Sequence, residues 1–136
     1  MSEHASSRLA PGLKGSLTWT VTEDLCMTRG VVPVFSTPSM VLLVERAAIH
    51  VTEPYLAPDQ RTLGTAIDLR HLAPSFPGQK VRAEIELTGV DRRRLSFQVK
   101  VFDEVEVVGE GTHERFIVDP QRYDERIKAK LAALKQ

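Results

Sequence analysis

One carboxylic acid sits where an amphipathic helix should present an apolar residue. The segment from Thr37 to Glu53 reads as a helix. A helix advances about 100° per residue, so with Thr37 at zero, Glu53, Arg46, Ser39 and His50 fall at about 160°, 180°, 200° and 220°. That is one narrow polar stripe. Val44, Ala48, Val41 and Val51 lie opposite, near about 340°, 20°, 40° and 320°. Glu45 falls at about 80°, beside the apolar centre. An acid there must be paired, protonated or functional, because burying a bare carboxylate is costly. An ion pair or a polar dimer interface would satisfy the same constraint without any chemistry.

A histidine looks toward the same side. In the strand-like stretch Thr62 to His71, alternation puts Thr65, Ile67, Leu69 and His71 on one face and Ala66, Asp68 and Arg70 on the other. The apolar row must meet the helix, so His71 ends an inward-looking row. An acid and a histidine facing one space can perform acid–base or nucleophilic chemistry, or can be satisfied core residues. Thr37, ahead of Pro38, reads as the helix N-cap with proline at the first helical position, which is a sufficient reason for its presence. His113 and Arg115 share a face beside Gly111, as a ligand contact or a solvated edge. His4 falls in the tail and His50 on the polar stripe, and neither suggests chemistry.

The elements that must position these residues follow from periodicity. Residues 1–15 mix small, polar and breaker residues and read as a loose tail before a single domain, 16–136. Ser16 to Thr22 alternates as a first strand, and Thr28 to Ser36, broken by Gly30 and Pro33, reads as a loop. Beyond the helix the period becomes two. Val81, Ala83, Ile85 and Leu87 share one face of the stretch Lys80 to Val90, and Leu95, Phe97, Val99 and Val101 share one face of the next. A last strand, Val105 to Val118, is interrupted by Gly109 and Gly111, where a bulge or a close backbone approach is expected. Asp119-Pro120 caps a terminal helix with Ile127, Leu131 and Leu134 in one stripe. One strand, one long apolar helix, four strands and a terminal helix argue for an α+β fold, an antiparallel sheet wrapped around the helix, rather than a doubly wound sheet.

Composition narrows the partners. Among 136 residues, 18 basic and 18 acidic side chains balance, so no net field draws nucleic acid or an anionic membrane. The longest apolar run, Met40 to Val44, is too short to span a bilayer, and the start of the chain lacks a signal peptide's apolar core. A cytoplasmic protein is expected. The lone Cys26 excludes an internal disulfide and a multi-cysteine metal site, and reads as a small hydrophobe. There is no phosphate loop, dinucleotide glycine pattern, nucleophile elbow or HExxH. The DRRR turn, Asp91 to Arg94, reads as a solvated hairpin that could also hold a phosphate.

Taken in order, Thr37, Glu45 eight positions on, PYL (Pro54 to Leu56), LGTAI (Leu63 to Ile67), His71, PG (Pro77-Gly78), RRLS (Arg93 to Ser96) and GTHER (Gly111 to Arg115) form a recognisable series. It resembles the fluoroacetyl-CoA thioesterase family, a branch of the hotdog thioesterases. The likeness spans roughly Val34 to Lys130, and order and spacing make it specific where each motif is short. The resemblance implies a homodimeric hotdog enzyme that hydrolyses a small acyl-CoA, with Thr37, Glu45 and His71 as catalytic residues. It also implies Gly64 and Arg115 as substrate-binding residues, and neither metal nor redox cofactor. Glu45 would attack as a nucleophile or activate water, His71 would carry protons, and Arg115 would meet the CoA phosphates.

Two departures accompany it. The stretch Gly30 to Val34 is short and aliphatic where the family carries a longer aromatic lid, so fluoroacetyl-CoA is expected to enjoy no special advantage. Pro38 stands where the family has glycine, which removes one N–H and leaves the amides of Ser39 and Met40 to stabilise an oxyanion at the helix N-terminus. A hotdog hydratase or dehydratase, or a non-catalytic acyl-CoA-binding module, are the competing functions.

Overall fold

The computed structural model describes residues 9–135. Its elements are β1 (Lys14–Thr20), β2 (Cys26–Thr28), β3 (Pro33–Phe35), α1 (Thr37–Thr52), β4 (Arg61–His71), β5 (Lys80–Asp91), β6 (Arg94–Phe102), β7 (Val107–Val118) and α2 (Pro120–Leu134). Five strands form one antiparallel sheet in the order β1-β5-β6-β7-β4. The alternation in β5 and β6 emerges as expected: Val81, Ala83, Ile85, Leu87, Leu95, Phe97, Val99 and Val101 are all buried. They meet Met40, Leu43, Val44, Ala47, Ala48 and Val51, the buried face of α1. Burying a branched or aromatic side chain contributes roughly 1.5–3 kcal/mol, so this helix-on-sheet contact supplies most of the driving force.

The two glycines of β7 are close approaches, as their spacing suggested. A side chain on Gly109 would run into the Met40 thioether, and one on Gly111 into the backbone carbonyl of Asp68 in β4. A bulge also separates the pairs Val101–Gly109 and Phe102–Val107.

Three features differ from the sequence reading. The stretch Thr28 to Ser36, expected as a loop, contributes to the β2–β3 hairpin, which Phe35 anchors by full burial. Of the expected tail, residues 1–8 lie outside the described ones, while Leu9 is buried against the core and β1 already begins at Lys14. The terminal helix forms behind an Asp119 cap that accepts from the Gln121 amide, but its apolar stripe stays exposed, and no described residue of α2 is buried.

Gly111→Ala is expected to destabilise by about 1–3 kcal/mol, because the obstacle is backbone that cannot rotate away. Urea denaturation reads this directly. Gly30→Ala, with open space around it, is the control and should leave the midpoint unchanged.

Candidate active site

The start of α1 is capped by Ser36, not by Thr37. Ser36 Oγ accepts from the Ser39 amide at 3.3 Å, and Thr37 becomes the first helical residue with Pro38 behind it. A first-turn proline is tolerated because first-turn amides have no intrahelical partner. The shift by one residue relieves Thr37 of capping. Its hydroxyl instead meets Nδ1 of His71, at the far end of β4, at 2.8 Å. The same cap overturns the expected oxyanion donors. The Ser39 amide is taken by Ser36 Oγ and the Met40 amide by the Ser36 carbonyl at 3.0 Å. Pro38 has none, so the Thr37 amide is the first-turn donor left for an incoming oxyanion.

Two turns further along α1, Glu45 occupies the rim of the buried face with its side chain 37% exposed. Its partner is Arg115 of β7, whose side chain is only 4% exposed and whose Nη1 lies 3.3 Å from Glu45 Oε2. The guanidinium is held on every side. Nε donates to Thr62 Oγ1 at 2.9 Å, Nη2 to the Thr62 carbonyl at 3.0 Å, and Nη1 also lies 3.2 Å from His113 Nε2. Burial lowers the pKa of Arg115 and the adjacent Glu45 carboxylate raises it, so the cation persists only because its acceptors are built in.

Gly64 explains how the carboxylate fits. Any side chain there would overlap Glu45 Oε2 and crowd Arg115 Nη1. Strict alternation from His71 would turn Gly64 outward, since the two positions differ by an odd number. The register between β4 and β7 shifts between Gly64 and Ala66, leaving Thr65 as a bulged residue whose hydroxyl donates to the Glu114 carbonyl at 3.2 Å. Gly64 pairs with Arg115, Ile67 with His113 and His71 with Gly109, so all three look inward. The expected face Thr65–Ile67–Leu69–His71 is thus corrected at its first member, because the bulge inserts one residue.

The structure joins Thr37 to His71 and Glu45 to both Arg115 and Gly64, but it keeps the two groups apart. Thr37 and Glu45 are separated by eight residues of one helix, about 12 Å along its axis. Thr62 was not singled out as a member of the site, and His113, read with Arg115 as a ligand contact or a solvated edge, is instead the buried neighbour of that arginine. The signal for them lay in the inward parity they share with Arg115. Arg115 is enclosed rather than presented to solvent, so its reach is to Glu45. Cys26 donates to the Thr22 carbonyl, and burial, then Glu23 and Asp24, push its thiol pKa up, as suits an inert thiol. In the DRRR turn, Arg94 pairs with Asp91 at 3.3 Å and Glu114 at 3.5 Å.

Burial lowers the pKa of His71 against a backbone hydrogen bond with Ala73. Burial also lowers that of His113, opposed by the Ala66 carbonyl and aided by Arg115. The unfolded chain takes up protons near the ordinary histidine value, about 6.5, and the folded chain only at lower pH. Stability is therefore full above about pH 6.5 and is lost as pH falls toward the folded-state values. Melting temperature should drop between about pH 7.5 and pH 5, and less so in His113→Gln. Equal drops in both proteins would remove His113 from the account.

Comparison with known proteins places the chain in a family and a fold. The family model for fluoroacetyl-CoA-specific thioesterase matches residues 18–121. The fluoroacetyl-CoA thioesterase of Streptantibioticus cattleyicolor is 40% identical over 100 residues, 74% of this chain and 72% of that one. A solved fluoroacetyl-CoA thioesterase structure superposes with a TM-score of 0.82 at 32% identity, covering 88% of this chain and 96% of the other. A point mutant of that enzyme has been solved with fluoroacetate and CoA bound. A hot-dog-like protein from Thermanaerovibrio acidaminovorans, 18% identical with a TM-score of 0.84 over 91% of this chain and 95% of its own, shares the fold. Wrapped sheet, central helix and matched motifs agree: the chain belongs to the fluoroacetyl-CoA-specific thioesterase family and has its hotdog fold.

Proposed function

We propose that this chain hydrolyses the thioester of a small acyl-CoA in the cytoplasm, as a homodimer, with water as the only co-reactant and no cofactor. The observation that carries the reading is Glu45, a half-exposed carboxylate aimed by a buried arginine in a chain of this thioesterase family. One oxygen of Glu45 is held by Arg115. The other is free to attack the thioester carbonyl carbon, directly or by taking a proton from an attacking water. The carbonyl π pair moves onto oxygen, where the Thr37 amide serves as a donor. Collapse breaks the carbon–sulfur bond and releases the CoA thiolate, leaving the free acid where water attacked, or a Glu45 acyl anhydride that a water then hydrolyses; in either route that water supplies the thiol proton. His71, neutral at physiological pH and hydrogen-bonded to Thr37, relays the proton the thiolate takes up. Gly64 serves the substrate by leaving the space that the Glu45 carboxylate occupies, and Arg115 serves it through Glu45.

Two chains supply what one separates. β4 is an edge strand with an exposed middle, and unpaired edges invite pairing. Antiparallel pairing of β4 with its copy about a two-fold near Ile67 sets the Gly64 end of one protomer against the His71 end of the other. Glu45 then meets the Thr37–His71 pair of the partner.

Glu45→Gln should lower kcat for thiol release at least about a hundredfold. It should also lower the melting temperature, since Arg115 loses its counter-charge. A variant that melts lower yet turns over at the full rate would leave Glu45 a structural role only. A panel of acyl-CoA esters should show no exceptional preference for the fluoroacetyl group, given the short aliphatic Gly30 to Val34 segment.

Mixing inactive Glu45→Gln with inactive His71→Ala subunits should restore activity, because each heterodimer regains one intact site. Absence of recovery in exchanged dimers, or a monomer by light scattering, would sink the shared site.

A further inference from the structure

His113 is the most enclosed histidine described here, 3% exposed, and both of its ring nitrogens are engaged. Nδ1 lies 2.9 Å from the Ala66 carbonyl oxygen, which only accepts, so Nδ1 carries the proton. Nε2 lies 3.2 Å from Arg115 Nη1, which only donates, so Nε2 is bare. The two partners force one neutral tautomer. The ring stacks on Phe97 of β6, with centroids 5.9 Å apart. The charged groups facing it are Arg115 on its own strand and Glu45 on α1; β4 presents the Ala66 carbonyl and β6 the Phe97 ring.

We propose that His113 is the positioning residue of this site, with Nε2 fixing the arginine that aims Glu45 and Nδ1–H fixing the β4 bulge that turns Gly64 inward. The proposal rests on the assignment of Glu45 to the reaction. Arg115 Nη1 has two protons, and Glu45 and His113 take one each. Without the second acceptor a buried donor is left unmade, and the guanidinium must rotate to find another, carrying the carboxylate with it. Ala66 follows the bulged Thr65, whose own hydroxyl holds the Glu114 carbonyl, so β7 clamps the bulge from both sides. Protonation would remove the acceptor and set one cation against another. Burial and Arg115 oppose that, which keeps the positioning form in place at neutral pH.

Three variants separate the roles. His113→Phe keeps the ring on Phe97 and loses both hydrogen bonds; His113→Gln offers an amide oxygen near the Nε2 position; His113→Asn offers an amide N–H near the Nδ1 position. Each is assayed for kcat and KM in thiol release, and the Arg115 Nε–H resonance is followed by NMR. His113→Phe should lose kcat by about tenfold or more with KM little changed, and should shift the Arg115 resonance and speed its exchange. His113→Gln should recover most of that kcat, and His113→Asn less. An unmoved Arg115 resonance or an undiminished kcat in His113→Phe overturns the proposal. If His113→Phe does not fold, equal activity of His113→Gln and His113→Asn overturns it instead. Glu45→Gln assayed alongside separates the two failures. If it is inactive while His113→Phe is fully active, only the positioning role is lost. If both are active, the assignment of Glu45 falls as well.

Discussion

A guanidinium that cannot give up its proton, placed where solvent hardly reaches, must find its acceptors inside the protein. Arg115 is in that position, and much of the site's arrangement follows from its demand. Thr62 supplies a hydroxyl and a carbonyl, His113 a bare ring nitrogen, and Glu45 the counter-charge. Glu45 therefore belongs on the rim of α1's buried face, near enough to pair and open enough to act. Gly64 is small because the carboxylate fills the space a side chain would take. The bulge at Thr65 exists in the only register that lets Gly64 and His71 face inward from one strand.

The other half of the site depends on a different local decision. Ser36, Thr37 and Ser39 are all chemically able to cap a helix, and Pro38 tolerates more than one first-turn position. The chain resolves this by giving the cap to Ser36, whose backbone amide is tied to the Leu25 carbonyl in the β2–β3 region. Phe35, fully buried and bonded through its amide to the Ser75 carbonyl, holds that approach. Thr37 is thereby free to meet His71, and the segment after β4 that carries Ser75 supports both. The hairpin and that segment act as a brace between the helix start and the strand end.

Much of the scaffold was legible because burial imposes a period. The inward rows of β5 and β6, the polar stripe running from Ser39 along α1 to Glu53 just past its end, and the close glycines of β7 could each be read residue by residue, since side-chain direction repeats every two or 3.6 positions. Glu45 stood out for the same reason. Where a residue breaks the repeat, the reading failed. Alternation carried through Thr65 put that residue in the inward row although it is the bulged one, and proline punctuation in the stretch Thr28 to Ser36 concealed a short hairpin.

Sequence alone determined which residue types lie on which face of each regular element, and motif order identified the thioesterase family, because periodicity and spacing are local properties of the chain. Tertiary structure decided which of those residues meet. Whether Ser36 or Thr37 caps the helix, whether Arg115 reaches outward or under Glu45, and whether His113 is an edge residue or the buried neighbour of that pair all turn on contacts between residues distant along the chain. Thr37 and His71 are 34 positions apart, and Glu45 and Arg115 are 70. No local period encodes such pairings. They are set when helix and sheet close over one another and every buried polar group must find a partner in the space that remains.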